Sequence, residues 1–267
     1  MKIATWNVNS IRARLERLLG WLARVQPDLV CLQELKVPDE DFPHDELWSA
    51  GYDSAVHGQA TYNGVAILSR TPLGEIRKGL GNDPGDDHSR LIAARAGGLT
   101  VVSAYVPNGQ VVGSPKWEYK LSWLRRLRGW LEREHDPSEP LALCGDFNVA
   151  PEGRDVARPD EWRASVLCHE AGRAALQQVA EWGLRDAIRL HSDGPGPWSW
   201  WDYRMLAFPK GNGLRIDHIL LTAPLAERCT AAWVDREERK GKLPSDHAPV
   251  LAELDLPAPP SSTAAVR

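Results

Sequence analysis

The chain has 267 residues, of which 43% are hydrophobic and 25% charged; this is the profile of an ordinary globular protein rather than a disordered or fibrous one. At this length α/β and sandwich folds often form one unit, with a core large enough to need no disulfide or structural metal. The formal net charge of −4 argues against a protein that lives by non-specific attraction to nucleic acid, although a local patch can still grip phosphates while acids crowd a metal site.

The opening residues, Met1-Lys2-Ile3-Ala4-Thr5-Trp6-Asn7, are too few and too polar for a signal peptide and read as a strand over 2–8. Ser10 is a fitting N-cap, and Ile11, Leu15, Leu18, Leu19, Leu22 and Val25 follow helical spacing up to Pro27. The apolar run Leu29-Val30-Cys31-Leu32 then ends in Gln33-Glu34, a strand that delivers a carboxylate at its tip. Further strands are expected at 64–69, 91–95, 99–105, 141–144, 215–221 and 249–254. Helices are expected at 116–134 and, more weakly patterned, at 169–182. Glycine- and proline-rich loops fall at 79–87, 108–115, 191–197 and 208–213. Residues 1–256 read as a single domain of mixed sheets covered by helices, without an internal repeat of short motifs, and the Pro-, Ser- and Ala-rich tail at 257–267 is expected to be disordered.

Cys31, Cys144, Cys168 and Cys229 show no C-x-x-C spacing and no histidines at zinc-finger intervals. Cys31 and Cys144 sit in apolar runs as small hydrophobes, which fits a reduced, cytoplasmic compartment. No stretch approaches the roughly 20 apolar residues of a membrane span.

The polar residues fall in an unusual place. Asn7, Glu34, Tyr105, Asp146, Asn148, Asp217, Asp246 and His247 all end an apolar run or lie just beyond one. A single such Asp or Asn usually just caps a strand or opens a turn. Eight of them, several clustered, suggest one pocket on the rim of a sheet core. In Gly145-Asp146-Phe147-Asn148 an acid and an amide alternate at a strand end, able to orient a water and a phosphate oxygen together. Ser245-Asp246-His247 puts a carboxylate beside the commonest general acid–base residue. His218 competes with His247 for that role, but it follows Asp217 on a presumed strand, where neighbouring side chains point to opposite faces.

Hydrolysis of a phosphodiester needs a divalent ion, a positioned and deprotonated water, and donors for the non-bridging oxygens. Magnesium takes one or two carboxylates and keeps several waters. Glu34 with a nearby aspartate meets that need, and the chain lacks the cysteine or multi-histidine sets of zinc or iron sites.

Seven blocks now resemble one family in the same order: Trp6-Asn7-Val8-Asn9-Ser10, Leu32-Gln33-Glu34-Leu35-Lys36, Tyr105-Val106-Pro107-Asn108-Gly109, Gly145-Asp146-Phe147-Asn148, Trp198-Ser199-Trp200-Trp201-Asp202-Tyr203-Arg204, Gly213-Leu214-Arg215-Ile216-Asp217-His218 and Ser245-Asp246-His247-Ala248-Pro249. The chain resembles the exonuclease III family of abasic-site endonucleases, within the endonuclease/exonuclease/phosphatase superfamily. The resemblance implies a four-layer α/β sandwich of the deoxyribonuclease-I type, with two packed mixed sheets flanked by helices. It implies magnesium, with manganese able to substitute, held by Glu34 with Asp246 in or near its shell.

By the same resemblance, Asp146 orients or deprotonates the attacking water and is held by Asn7, while Asn148 contacts the scissile phosphate. His247 pairs with Asp217, Tyr105 stabilises the phosphate or leaving group, and Asn108 positions the strand. Which of Asp146 and His247 is the base stays open, because their titrations are coupled. Trp200 is placed beside a flipped abasic sugar and Arg90 near the DNA backbone, with Asn9, Lys36 and Trp201 completing the substrate-facing set. One departure is Leu35, where the family usually has threonine; on a strand it would point away from Glu34. Residues 160–172 follow no family signature, which leaves substrate preference open. The implied activity is incision on the 5′ side of abasic sites in double-stranded DNA, leaving a 3′-hydroxyl. A slower 3′-to-5′ exonuclease and 3′-phosphatase or phosphodiesterase action go with it, and a monomer is the default. The rival readings are another superfamily phosphoesterase, such as a secreted nuclease, a sphingomyelinase or an inositol phosphatase, and a catalytically weak DNA-binding paralogue. Secreted members would carry disulfides and a signal peptide, and a pure binder has no need of so many acids.

Overall fold

Two strand–helix–strand units set the frame. In the first, β1 (Lys2–Asn7), α1 (Ile11–Val25) and β2 (Leu29–Gln33) make a parallel pair of strands; in the second, β7 (Leu99–Tyr105), α3 (Pro115–Glu134) and β8 (Leu141–Asp146) do the same. Parallel neighbours need a crossover of this kind, which leaves each helix lying on one face of its sheet. The hydroxyl of Ser10 caps α1 by accepting from the Ala13 N–H at 3.4 Å, and Ser114 caps α3 by accepting from Trp117 N–H at 3.2 Å.

The computed structural model describes residues 1–81 and 86–256. Its remaining strands are β3 (Asp53–His57), β4 (Val65–Ser69), β5 (Gly74–Lys78), β6 (Leu91–Ala96), β9 (Leu184–Asp186), β10 (Asp217–Thr222), β11 (Cys229–Val234) and β12 (Val250–Leu254). The further helices are α2 (His44–Ser49), α4 (Pro159–Trp162), α5 (Glu170–Ala180) and α6 (Ala223–Ala226). The strands form two six-stranded mixed sheets, ordered β11-β12-β1-β2-β4-β3 and β5-β6-β7-β8-β10-β9.

Period-2 alternation in the central strands builds the layers. Leu29 and Cys31 of β2, Val65 and Ile67 of β4, and Ala142 and Cys144 of β8 all face the core between the sheets. Val30 and Leu32 instead meet Leu18, Trp21 and Leu22 of α1, while Leu141 and Leu143 meet Trp123, Leu127 and Leu131 of α3. Both faces of these strands are covered, which is why they read as unbroken apolar runs. A one-residue slip would exchange the two faces at once, so the register is firmly set. The result is helix, sheet, sheet, helix: the expected four-layer sandwich. At Gly145 the sheet tolerates no side chain, because an added Cβ would stand 1.9 Å from the Ala104 carbonyl oxygen.

Several elements depart from the sequence expectation. The edge strands β3, β5, β9 and β11 and the short helices α2, α4 and α6 carry little periodic signal. β5 is wholly exposed and β9 has three residues. Leu35 does not continue a strand: β2 stops at Gln33, and Glu34 and Lys36 take left-handed φ values of 58° and 59°. Leu35 is fully buried against Gly64 and the α1 side of its sheet. The predicted loop at 79–87 is described only in part, and the tail at 257–267 lies outside the described residues. Among the described residues no helix is long and apolar enough to cross a membrane.

Candidate active site

The parallel pairs end on the same rim. Asn7 closes β1, Glu34 follows β2, Tyr105 closes β7 and Asp146 closes β8, so each central strand brings one polar group to the carboxyl end of its sheet, where ligands bind in open α/β sheets. β10 runs antiparallel beside β8 and sets Asp217 directly opposite Asp146.

Asn7 is the brace between the two sheets. Its amide nitrogen donates to Glu34 Oε2 at 2.9 Å and to Asp146 Oδ2 at 2.9 Å. Its amide oxygen accepts from the backbone N–H of Asn9 at 2.9 Å, and the Ser245 hydroxyl donates to its carbonyl at 2.7 Å. Asp146 also accepts from the backbone N–H of Asn148 at 2.9 Å. Asn148 sits at φ 50° and donates to the Val106 carbonyl at 3.0 Å, while Asn108 donates to its side-chain oxygen at 3.0 Å. Left-handed backbone at Asn9, Ser10, Glu34, Lys36 and Asn148 crowds this one rim; such strain persists only where surrounding bonds enforce it.

His247 Nδ1 lies 2.9 Å from Asp217 Oδ2, and its Nε2 lies 3.8 Å from Asp146 Oδ2. Burial works against the imidazolium, but Asp217 and Asp146 outweigh it and raise the His247 pKa to about 10. Burial likewise lifts Asp146 to about 7, with His247 pulling down and Asp217 pushing up. Burial, reinforced by Glu34 and Asp146, holds the Tyr105 hydroxyl well above its ordinary value. The guanidinium of Arg90 lies 4.9 Å over the Tyr105 ring. His218 points the other way, bonding Val149 O through Nε2 and Arg215 through Nδ1, both at 2.9 Å.

Two residues that sequence reasoning passed over hold this dyad. The Ser199 hydroxyl donates to Asp217 Oδ2 at 2.6 Å and accepts the Ile216 and Asp217 N–H groups at 3.1 Å. Ser245 accepts from the His247 N–H at 3.2 Å. Each lies inside a motif block but beside a more eye-catching residue, and a serine there has no signal of its own.

The acidic and histidine groups that stand close enough to hold a metal ion together, among the described residues, are Asp146, Asp217 and His247. Asp217 already spends both oxygens on His247 and Ser199, so these three fit an acid–base relay better than an oxygen cage. Glu34 and Asp246 suit a hard cation better, being only partly buried. One network links them: Lys36 pairs with Glu34 Oε1 at 2.9 Å and donates to Asn9 at 2.7 Å, and Asn9 donates to Asp246 Oδ1 at 2.9 Å. Trp200 donates to Asp246 Oδ2 at 3.0 Å.

Two open clefts meet at Asn108. One of about 430 Å³ is lined by Glu34, Arg90, Tyr105 and Lys116; the other, of about 490 Å³, by Trp162, Trp200 and Arg204. Trp201 does not line either. It is fully buried among Ala207, Phe208 and Ala248, because neighbouring side chains leave the chain on opposite sides and Trp200 has taken the cleft side. Its assignment to substrate is therefore corrected to packing under the loop.

Fold and rim chemistry together define a hydrolase of phosphate esters, with amide and hydroxyl donors, a buried histidine–carboxylate pair and partly exposed carboxylates on one rim. Comparison with known proteins narrows the class. A model of the Endonuclease/Exonuclease/phosphatase family matches residues 4–247. The chain is 37% identical to exodeoxyribonuclease III of Haemophilus influenzae over 266 residues, covering 95% of this chain and 100% of that protein. It superposes on an AP endonuclease from Archaeoglobus fulgidus with TM-score 0.93 and 40% identity, covering 96% of this chain and all of that one. The 3′-phosphatase NExo from Neisseria, bound to a product DNA hairpin, matches with TM-score 0.92 and 39% identity over the same shares. The chain belongs to the endonuclease/exonuclease/phosphatase family, in its exonuclease III group, and is a hydrolytic nuclease of DNA repair.

Proposed function

We propose that this nuclease cuts the DNA backbone on the 5′ side of abasic sites, leaving a 3′-hydroxyl, with a slower 3′-to-5′ exonuclease. It does so as a magnesium-dependent monomer in the cytoplasm, and manganese substitutes for the metal. The observation that carries the reading is the position of Asp146, held by Asn7 and Asn148 and facing His247.

With pKa values of about 7 and about 10, Asp146 is an anion and His247 a cation at mildly alkaline pH. Asp146 then accepts the proton of the attacking water, and His247, fixed by Asp217, donates a hydrogen bond to a non-bridging phosphate oxygen. Asn108 gives an amide donor to the same phosphate, and Asn148 does so by exchanging its 3.3 Å bond to Asp146 for it. Tyr105 keeps its proton and donates to the phosphate or the leaving oxygen. Glu34 and Asp246 would hold the magnesium, whose chemistry is neutralisation of charge building on the phosphate and leaving oxygen. Asn9 and Lys36 fix those carboxylates, Arg90 meets the DNA backbone, and Trp200 walls the slot for the extruded sugar. Single-turnover cleavage of an abasic duplex by Asp146→Asn is the test. A loss of less than about tenfold would end its assignment as base, since positioned acid–base groups are worth about 10²–10⁴-fold.

One observation favours a second reading, the cleaning of damaged 3′ ends. Trp162 stands edge-on to Trp200 with ring centroids 5.6 Å apart, narrowing the slot in which an internal sugar would sit. Competition between a 3′-phosphate terminus and an internal abasic site, at equal concentration, ranks the two.

A further inference from the structure

α3 carries a residue that its own packing cannot explain. Lys120 lies on the helix face that also bears Trp117, Trp123 and Leu124, and it is fully buried. Among the described residues no carboxylate forms an ion pair with it. Burying an ammonium without an ion-pair partner is strongly unfavourable, and a hydrophobe of similar volume would fill the position more cheaply. What the ammonium has instead is three backbone carbonyls: Asn108 at 3.2 Å, Asn148 at 2.7 Å and Val166 at 2.6 Å.

We propose that Lys120 is a positioning residue for phosphodiester cleavage, whose buried ammonium clamps three separate loops and so fixes Asn108 and Asn148 against one another. Both asparagines hold the phosphate in the reading given above, and the clamp rests on that reading. The three carbonyls belong to the loop before α3, the loop after β8 and the segment between α4 and α5, which have no shared strand to align them. Asn148 stands at φ 50°, a left-handed conformation that asparagine adopts more readily than other side-chain-bearing residues but that surrounding bonds still have to hold. Its N–H is fixed by Asp146, its side chain by Val106 and Asn108, and its carbonyl by Lys120. The loop before α3 is threaded tightly over the lysine stem, for a Cβ added at Gly109 would lie 3.0 Å from Lys120 Cδ. Three acceptors require three N–H donors, which only the ammonium supplies. The three carbonyls favour the charged form, against burial, which draws the Lys120 pKa down to about 7, with Asp146 and Cys168 pulling the other way. Val166 also lines the cleft of Trp162 and Trp200, so one cation registers the phosphate donors to the wall of the sugar slot.

The test is a double-mutant cycle on abasic-duplex cleavage with the full chain, reading kcat and KM below the unfolding midpoint of every variant. Lys120→Met is expected to lower kcat by about 10²-fold, the scale of a 1 Å misplacement of reacting groups, with KM little changed. In the Asn148→Ala background the same substitution is expected to cost only about threefold more, because coupled residues are not additive. Lys120→Arg, which keeps the charge and donors, is expected to recover most of the loss. If Lys120→Met does not fold, Lys120→Gln is carried through the same cycle with the same expectation of non-additivity. A full, additive loss in the Asn148→Ala background overturns the clamp, as does a lowered unfolding midpoint with unchanged kcat. If Asn108→Ala and Asn148→Ala leave kcat untouched, the phosphate-holding reading fails first and the clamp with it.

Discussion

His247 Nδ1 sits 2.9 Å from Asp217 Oδ2, and that oxygen also accepts the Ser199 hydroxyl at 2.6 Å. The imidazole is thus oriented from behind, with Nε2 left to face Asp146 and the cleft. Its pKa is about 10 in the fold against an ordinary 6.5, so the native state binds more protons than the unfolded chain between those values. The pair's stabilisation is complete below about pH 6.5 and drains away as pH rises through about 10. Thermal unfolding in EDTA from pH 6.5 to 10.5 should therefore show a steeper fall for the wild type than for His247→Gln. Parallel curves would mean that the imidazolium is not stabilised in the fold.

Ser199→Ala removes the donor behind Asp217 and leaves the Ile216 and Asp217 N–H groups short of an acceptor. A buried polar group left unpaired costs about 1–3 kcal/mol, which chemical denaturation can measure. Activity should fall too, but by less than the ~10²–10⁴-fold worth of the acid–base group it supports. A variant as stable and as active as the wild type would show that Asp217 needs no such anchor.

Glu34→Gln keeps the shape that accepts from Asn7 but removes the charge available to a cation. The magnesium concentration giving half-maximal cleavage should rise at least about tenfold, since carboxylate charge sets affinity for this hard ion. Asp246→Asn should act in the same direction. Unchanged magnesium titrations in both variants would move the metal site elsewhere on the rim.

Away from the rim, Arg215 is fully buried and bonds Asp155 at 2.7 Å and Asp186 at 2.5 Å, while Arg189 also binds Asp155. Although burial alone would raise it, Arg215 and His218 hold the Asp186 carboxyl well below the usual range. Arg215→Met takes the shared counter-ion from two carboxylates, leaving Asp155 to Arg189 and Asp186 to His218, and should cost up to roughly 3–5 kcal/mol of stability, the scale of broken buried pairs. Cleavage per folded molecule should survive. A stable variant with lost activity would instead tie this network to catalysis.

The rim was legible in the sequence because its residues flank the buried strands, where apolar runs announce themselves: Asn7, Tyr105 and Asp146 close theirs, Glu34 follows one and Asp217 opens one. The two-sheet architecture itself came from the family resemblance, since single strands do not reveal which partner they pair with. Edge strands such as β5 escaped because both faces are exposed and no periodicity survives. Trp201 was misplaced because adjacent tryptophans look alike in sequence, and only the backbone path decides which enters the cleft and which the core. Lys120 escaped because its helix position predicts a hydrophobe, and its partners are carbonyls brought in from loops 12, 28 and 46 residues away.

The most direct test of the proposed reaction is cleavage of a labelled duplex bearing one abasic-site analogue, with magnesium and with EDTA, beside an intact duplex with a recessed 3′ end. A single magnesium-dependent cut is expected on the 5′ side of the lesion, ending in a 3′-hydroxyl and faster than trimming of the intact duplex. An abasic duplex left whole in magnesium, under conditions where 3′ ends are processed, would contradict it.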